Sequence, residues 1–367
     1  MPSPFPARSF LGTMSLVFFA IAAIFAADMF LAGMERKESR IEAARLFKQG
    51  RTAIARGQNA EAIERIKDAI SVERGNRDYL RTLAQAELTA GKTDDAESTL
   101  TDLMQTDPTD GLACLIMGRV LVKEGRFPEA VSYYHRAVYG QWNQDAAANR
   151  LRARLELIDL LAQRNSKEEL LAELLAIQDH PSSDPAMRTR LGQLFLQAGS
   201  PSRAAVLFRG VLRDAPANAD ADAGLGQAEF AQGQYRAAQR DFQAALRVTP
   251  DNQAARRGLD VSDELLTLDP TLRGLGQAER FRRSLKLVEL AQGEVSQCAG
   301  AHPAPELQEL LDLAAKALKT RVIAARQGDA AESNLDLAER LWARRKECQP
   351  PPAADSPLAL AMARIAQ

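Results

Sequence analysis

Residues 219–252 read ADADAGLGQAEFAQGQYRAAQRDFQAALRVTPDN, and the order of small, aromatic and turn residues in these 34 positions constrains the fold more than any other feature of the chain. Gly233 permits a tight turn between two helical segments. Ala238 and Ala245 let two antiparallel helices approach closely, and Phe242 fills the space between one pair and the next. Pro250 cannot continue a helix, so it closes the unit. Apolar positions follow a period of about 3.6 and no segment alternates over several residues, which excludes a strand reading. One such helix pair cannot bury its own apolar face, so neighbours of the same length are expected.

The neighbours are present. Residues 185–218 carry Leu191, Gly192, Gly199, Ala204, Phe208 and Pro216 at the same places. Residues 111–144 carry Met117, Gly118, Gly125, Phe127, Ala130, Tyr134 and Ala137, with Trp142 where the terminal proline belongs. Weaker copies occupy 77–110 (Leu83, Ala84, Gly91, Ala96, Leu100, Pro108) and 43–76 (Gly50, Gly57, Ala62, Ile66, Ala69). Between 145 and 184, Leu155, Leu157, Leu160 and Leu161, then Leu170, Leu171, Leu174 and Leu175, recur at helical spacing around Arg164, which stands at the turn-glycine position. This stretch reads as a degenerate helix pair. On these residues the chain resembles the tetratricopeptide repeat family from about 41 to 268. The resemblance implies an all-α fold, a right-handed superhelical solenoid of about six helix pairs spanning 35–268, with a concave groove.

The N-terminus differs from everything downstream. From Phe10 to Ala27 there is no charge, and after Asp28 apolar character resumes to Met34 before the charged run 35–40. An uncharged stretch of this length is expected to form a transmembrane anchor over 1–34, since a bilayer core is about 30 Å thick. A cleaved signal peptide with sites near Ala26 and Ala27 and a buried soluble helix are the competing readings. Asp28 lies toward the end of the stretch, within reach of the interface. At the other end, three apolar helical faces predict a three-helix domain over 269–349 that covers the last open repeat. Pro350, Pro351 and Pro352 open a linker, and a short tail helix completes 350–367 and docks back on the array.

Lys and Arg number 47 against 48 Asp and Glu, with no basic stripe, so nucleic acid is not an expected partner. His135, His180 and His302 lie far apart, no phosphate-cradling glycine loop precedes a helix, and no Cys-x-x-Cys pair exists. No enzyme activity, cofactor, metal site or small-molecule substrate is expected. Of the three cysteines, Cys114 sits at a packing position of a first helix. Cys298 and Cys348 each close a predicted helix, and in an up-down-up trio both fall at the same end, which makes a disulfide between them geometrically reasonable. Such a bond belongs to an oxidising compartment. The positive-inside rule points the other way, with Arg8 before the apolar stretch and Arg36, Lys37, Arg40 and Arg45 after it.

Binding is the function that remains. The family resemblance implies that ligands lie along the first helices, whose second, fifth, ninth and twelfth positions face the groove. The ninth positions are Arg51, Gln85, Arg119, Gln193 and Gln227, a polar ladder suited to an extended peptide backbone. The fifth positions, Phe47, Arg81, Leu115, Thr189 and Ala223, depart from the Lys and Asn pattern with which chaperone-binding members clamp a C-terminal carboxylate. Tyr139 and Trp142, in an aromatic cluster with Tyr133 and Tyr134, are further partner-binding candidates. The expected protein is a scaffold anchored in the bilayer of a bacterial inner membrane, gathering protein partners with its repeats in the periplasm. High Ala, Arg and Leu usage underlies the bacterial reading. The alternatives are a structural subunit of a membrane complex and a cytoplasm-facing adaptor that regulates a membrane enzyme.

Overall fold

The computed structural model of the chain describes residues 7–178, 184–297, 303–319, 327–347, 350–353 and 355–366. All regular structure among them is helical, and one isolated β-bridge pairs Asp110 with Gln141. The chain divides into two compact units, 1–160 and 161–367.

The first unit opens with α1 (Ala7–Ala55), followed by α2 (Asn59–Val72), α3 (Arg77–Thr89), α4 (Thr93–Thr106), α5 (Gly111–Lys123) and α6 (Phe127–Tyr139). Most of α7 (Ala146–Gln163) also belongs to it. The helices pair because each first helix meets its second across a turn whose glycine has positive φ, as at Gly57 (74°), Gly91 (80°) and Gly125 (77°). Side chains cap the first helices. Asn76 accepts from the Asp78 and Tyr79 amides (3.1 and 3.4 Å), and Asp110 accepts from the Ala113 amide (3.0 Å). Ala62, Ile66, Ala96, Leu100, Ala130 and Tyr134 are buried where the 34-residue pattern puts them.

The second unit contains α8 (Lys167–Ile177), α9 (Pro185–Gln197), α10 (Pro201–Asp214), α11 (Ala219–Ala231), α12 (Tyr235–Val248) and α13 (Gln253–Leu268). Asn165, with φ 55°, makes the turn between α7 and α8 that glycine makes elsewhere. Asp184, Asn218 and Asn252 cap α9, α11 and α13. Beyond them come α14 (Gln277–Ser296), α15 (Pro305–Leu318), α16 (Gln327–Arg345) and α17 (Pro357–Ile365). One apolar cluster joins Tyr235 of α12 and Leu265 and Leu268 of α13 to Leu287, Val288 and Leu310, to Leu341 of α16, and to Ala361 and Met362 of α17. The tail helix thus packs on α13, α14 and α16.

The N-terminal expectation needs correcting in its form. The apolar stretch is not a separate element, because no proline interrupts it after Pro6 and α1 runs unbroken for 49 residues into the first repeat. Among the described residues no helix is long and apolar enough to cross a membrane, so the expected transmembrane helix over 1–34 is not supported there. The large apolar side chains that are described in this half, including Phe18, Phe25, Met29 and Phe30, are exposed, and the first buried one described in the chain is Ala43. The expected Cys298–Cys348 disulfide lies outside the described residues, as do His180 and His302; Cys114 is a free, buried thiol.

Candidate functional site

In the first unit, three first helices line a cavity of about 390 Å³. The end of α1 supplies Arg51, Ile54 and Ala55, α3 supplies Arg81, Thr82 and Gln85, and α5 supplies Leu112 and Ile116. These side chains meet because positions three and four apart on one helix share a face, and the 34-residue repeat sets equivalent faces side by side. Ile54 and Leu112 are 36% and 37% exposed, so the wall is apolar and open. Arg51 is exposed and makes no ion pair among the described residues.

The other basic residues beside this cavity are engaged. Arg81 pairs with Asp78 (2.6 Å) and with Asp110, whose carboxylate is almost fully buried and also caps α5. Arg119 makes a two-pronged contact with Glu156, Nε to Oε2 at 2.8 Å and Nη2 to Oε1 at 2.6 Å, and its Nη1 donates to Gln85 Oε1 at 3.3 Å. The Tyr134 hydroxyl lies 3.5 Å from the same Glu156, and burial, followed by that carboxylate, pushes the phenol's pKa up. The ladder read along the sequence is therefore cross-linked at Gln85 and Arg119 and open at Arg51.

Trp142 is a packing residue in this arrangement. Its ring lies on Gly111, where an added Cβ would approach within 2.5 Å, and its Nε1 donates to the Ala137 carbonyl at 2.9 Å. It stands at the position that Pro108, Pro216 and Pro250 take in three other repeats. Tyr139 is 74% exposed, and the Arg154 guanidinium stands 5.8 Å from its ring centroid. Neither residue lines the cavity at Ile54.

In the second unit, Gln193 and Gln227 are exposed on their first helices. Gln227 lines a second cavity, also about 390 Å³, with Phe230, Phe242, Ala254, Arg257, Gly258, Val261 and Asp355. The same unit holds an acidic pair, buried Glu229 of α11 and half-buried Asp241 of α12. Glu229 is 5% exposed and accepts from Arg209 Nη2 at 2.8 Å. Burial, then the neighbouring Glu229 carboxylate, raises the Asp241 pKa to about 7, and burial raises that of Asp222 as well. Among the described residues no group of three or more His, Cys, Asp or Glu is placed to hold a metal ion.

Sequence reasoning did not single out Ile54, Leu112, Arg257 or Val261. The signal was available for two of them: Ile54 is the twelfth position of its unit and Leu112 the second of its own, both groove-facing in the repeat. Arg257 and Val261 lie in the half-repeat after Pro250, which lacks a second helix of the repeat type and so offers less pattern to align.

A tetratricopeptide repeat model matches residues 53–115, 88–155 and 195–259. No curated protein sequence matches the chain. Several solved structures are similar. YrrB, described as a tetratricopeptide protein with an unusual peptide-binding site, is 18% identical with a TM-score of 0.44, over 53% of this chain and 97% of its own. The C-terminal part of a repeat-containing protein from Cytophaga hutchinsonii is 14% identical with a TM-score of 0.45, over 82% and 97%. PilW, a type IV pilus biogenesis factor, is 16% identical with a TM-score of 0.40, over 58% and 96%. With their glycine turns, small helix-contact residues and aromatic wedges in register, the matched segments at 53–155 and 195–259 are built of tetratricopeptide repeats.

Proposed function

We propose that this protein is a protein-interaction scaffold that holds an extended segment of a partner protein against α1, α3 and α5. The observation that carries the reading is the open apolar wall of Ile54 and Leu112 over buried Ile116, beside the Gln85 amide and Arg51, which has no ion-pair partner among the described residues. Such a wall accepts alternate apolar side chains of an extended peptide, while Arg51 favours a carboxylate next to them. A photo-crosslinking amino acid at Leu112 captures a partner in native membranes, and one at Tyr139 does not. Ile54→Asp, which keeps the fold because Ile54 is already at the surface, removes the Leu112 crosslink. An undiminished crosslink in that variant, or equal capture at Tyr139, refutes the assignment.

We further propose that the apolar half of α1 anchors the scaffold in the bilayer of a bacterial inner membrane, with the repeats outside the cytoplasm. The uncharged run from Phe10 to Ala27 supports anchoring, as does the exposure of Phe18, Phe25 and Phe30. The spacing of Cys298 and Cys348 supports the orientation. A second reading has specific support in Arg36, Lys37, Arg40 and Arg45, which favour a cytoplasmic location for the repeats. Thiol counting on protein from its native membrane, under denaturing conditions because Cys114 is buried, separates the two. One thiol before reduction and three after supports the external orientation; three before reduction supports the cytoplasmic one.

A further inference from the structure

The cavity at Gln227 has a lining from two sources. α11 contributes Gln227 and Phe230, α13 contributes Ala254, Arg257, Gly258 and Val261, and Phe242 of α12 forms the floor. The remaining lining residue, Asp355, comes from the segment that leads into α17, more than ninety positions further along the chain. Arg257 and Asp355 are both exposed, and neither has an ion-pair partner among the described residues. The site therefore has an apolar base, an amide and an unpaired cation on one side, and an acidic residue of the chain itself at its edge.

The segment bearing Asp355 is held through α17, whose Leu358, Leu360 and Ile365 also pack against the cluster around Leu265 and Leu341. α17 has nine residues, with Ala361 and Met362 as its buried side chains. A helix that short is not stable alone in water, so its order depends on docking. Its polar hold is Arg364. Nη1 donates to the Gly233 carbonyl at 3.1 Å, Nε lies 3.0 Å from Asp269 Oδ2, and the guanidinium stands 5.4 Å from the Tyr235 ring centroid. Asp269 is buried, and its other carboxylate oxygen accepts from the Thr271 amide and hydroxyl at 2.7 Å each. Breaking this latch costs one short helix, because the proline segment before it carries no part of the repeat core.

We propose that the cavity at Gln227, Phe230, Arg257 and Val261 is a second docking site, for an acidic extended segment of a partner protein, and that the C-terminal segment is a strap that competes with it from within the chain. The proposal rests on the scaffold reading above and extends it to the second unit. A tethered strap acts at high effective concentration, so it raises the threshold for a partner without closing the site permanently. The partner it excludes shares the one feature the strap brings to the cavity, a carboxylate as at Asp355, and adds apolar side chains for Phe230 and Val261.

The test uses the full chain in detergent and, as probe, a fluorescein-labelled peptide of residues 350–367. Arg364→Ala and, by a separate route, Met362→Asp release the strap, which hydrogen exchange reads as faster exchange of the α17 amides with the repeat amides unchanged. Peptide anisotropy then shows binding at least tenfold tighter in both variants than in the unaltered chain, and Arg257→Glu in either background removes that gain. Release without a gain overturns the docking site, and a gain that survives Arg257→Glu overturns its placement at the cavity. Unchanged exchange in both variants overturns the strap. None of these results bears on the crosslink at Leu112, so failure here is distinguishable from failure of the scaffold reading.

Discussion

A Cβ added to Gly192 would lie 2.7 Å from the Phe208 ring, and one added to Gly226 or Gly258 would lie 2.7 or 2.5 Å from the Phe242 ring. Each phenylalanine is thus wedged between backbone surfaces of successive first helices, and both rings are essentially buried. Phe242→Ala leaves a ring-sized void that these rigid helices cannot fill. It is expected to cost about 3–5 kcal/mol in urea unfolding, with the change confined to the midpoint. The Asp241–Glu229 pair gives a second residue-scale prediction. Asp241 faces Glu229 and Asp222 from α11 and Arg240 on its own helix, and Arg209 reaches Glu229 from α10. With its pKa raised to about 7, folded Asp241 keeps a proton that the unfolded chain releases near 3.8. Stability therefore falls as pH rises across that window and levels off above about 7, since the folded state binds more protons there. Asp241→Asn removes this slope and raises the melting temperature at pH 8; a slope unchanged in the variant would assign the effect elsewhere.

The elements of the repeats were legible because their punctuation recurs. Gly57, Gly91 and Gly125, then Gly199 and Gly233, are 34 residues apart, and all five have positive φ. Asn76 and Asp110, then Asp184, Asn218 and Asn252, keep the same interval as caps. Asn165 was not legible as a turn residue, because asparagine serves caps and loops as readily as the left-handed region. At φ 55°, Asn165→Ala is expected to cost about 1–2 kcal/mol and Asn165→Gly close to none; equal losses would show that the side chain, not the backbone, matters. Asn218→Ala is expected to cost about 1 kcal/mol through its lost cap, measured by the same unfolding curves. The length of α1 was also missed. The repeat pattern begins at residue 43, yet nothing before it breaks a helix, so helical geometry propagates back to Ala7.

At the scale of the molecule, the apolar half of α1 and the repeats are separable in their energetics. No described side chain before Ala43 is buried, so deleting residues 1–34 is expected to leave the thermal melt of the repeats unchanged. On the proposed anchoring, the same deletion is expected to move the protein from the membrane pellet to the supernatant on fractionation. A protein that still pellets would refute anchoring, and a lowered melt would show that this half packs on the repeats. The sequence by itself determined the helix pairs, their turns, their caps and the faces that carry a ladder of polar residues, because each of these follows from local spacing and backbone preference. Only the tertiary structure decided which ladder residues are free. Arg119 is committed to Glu156, 37 positions away, while Arg51 has no ion-pair partner among the described residues; Arg81, outside the ladder, is committed in the same way to Asp110, 29 positions away. It also brought Asp355 to the cavity of Gln227. Such pairings depend on distances between elements, set by how close alanine and glycine let the helices come, and no spacing within one helix encodes them.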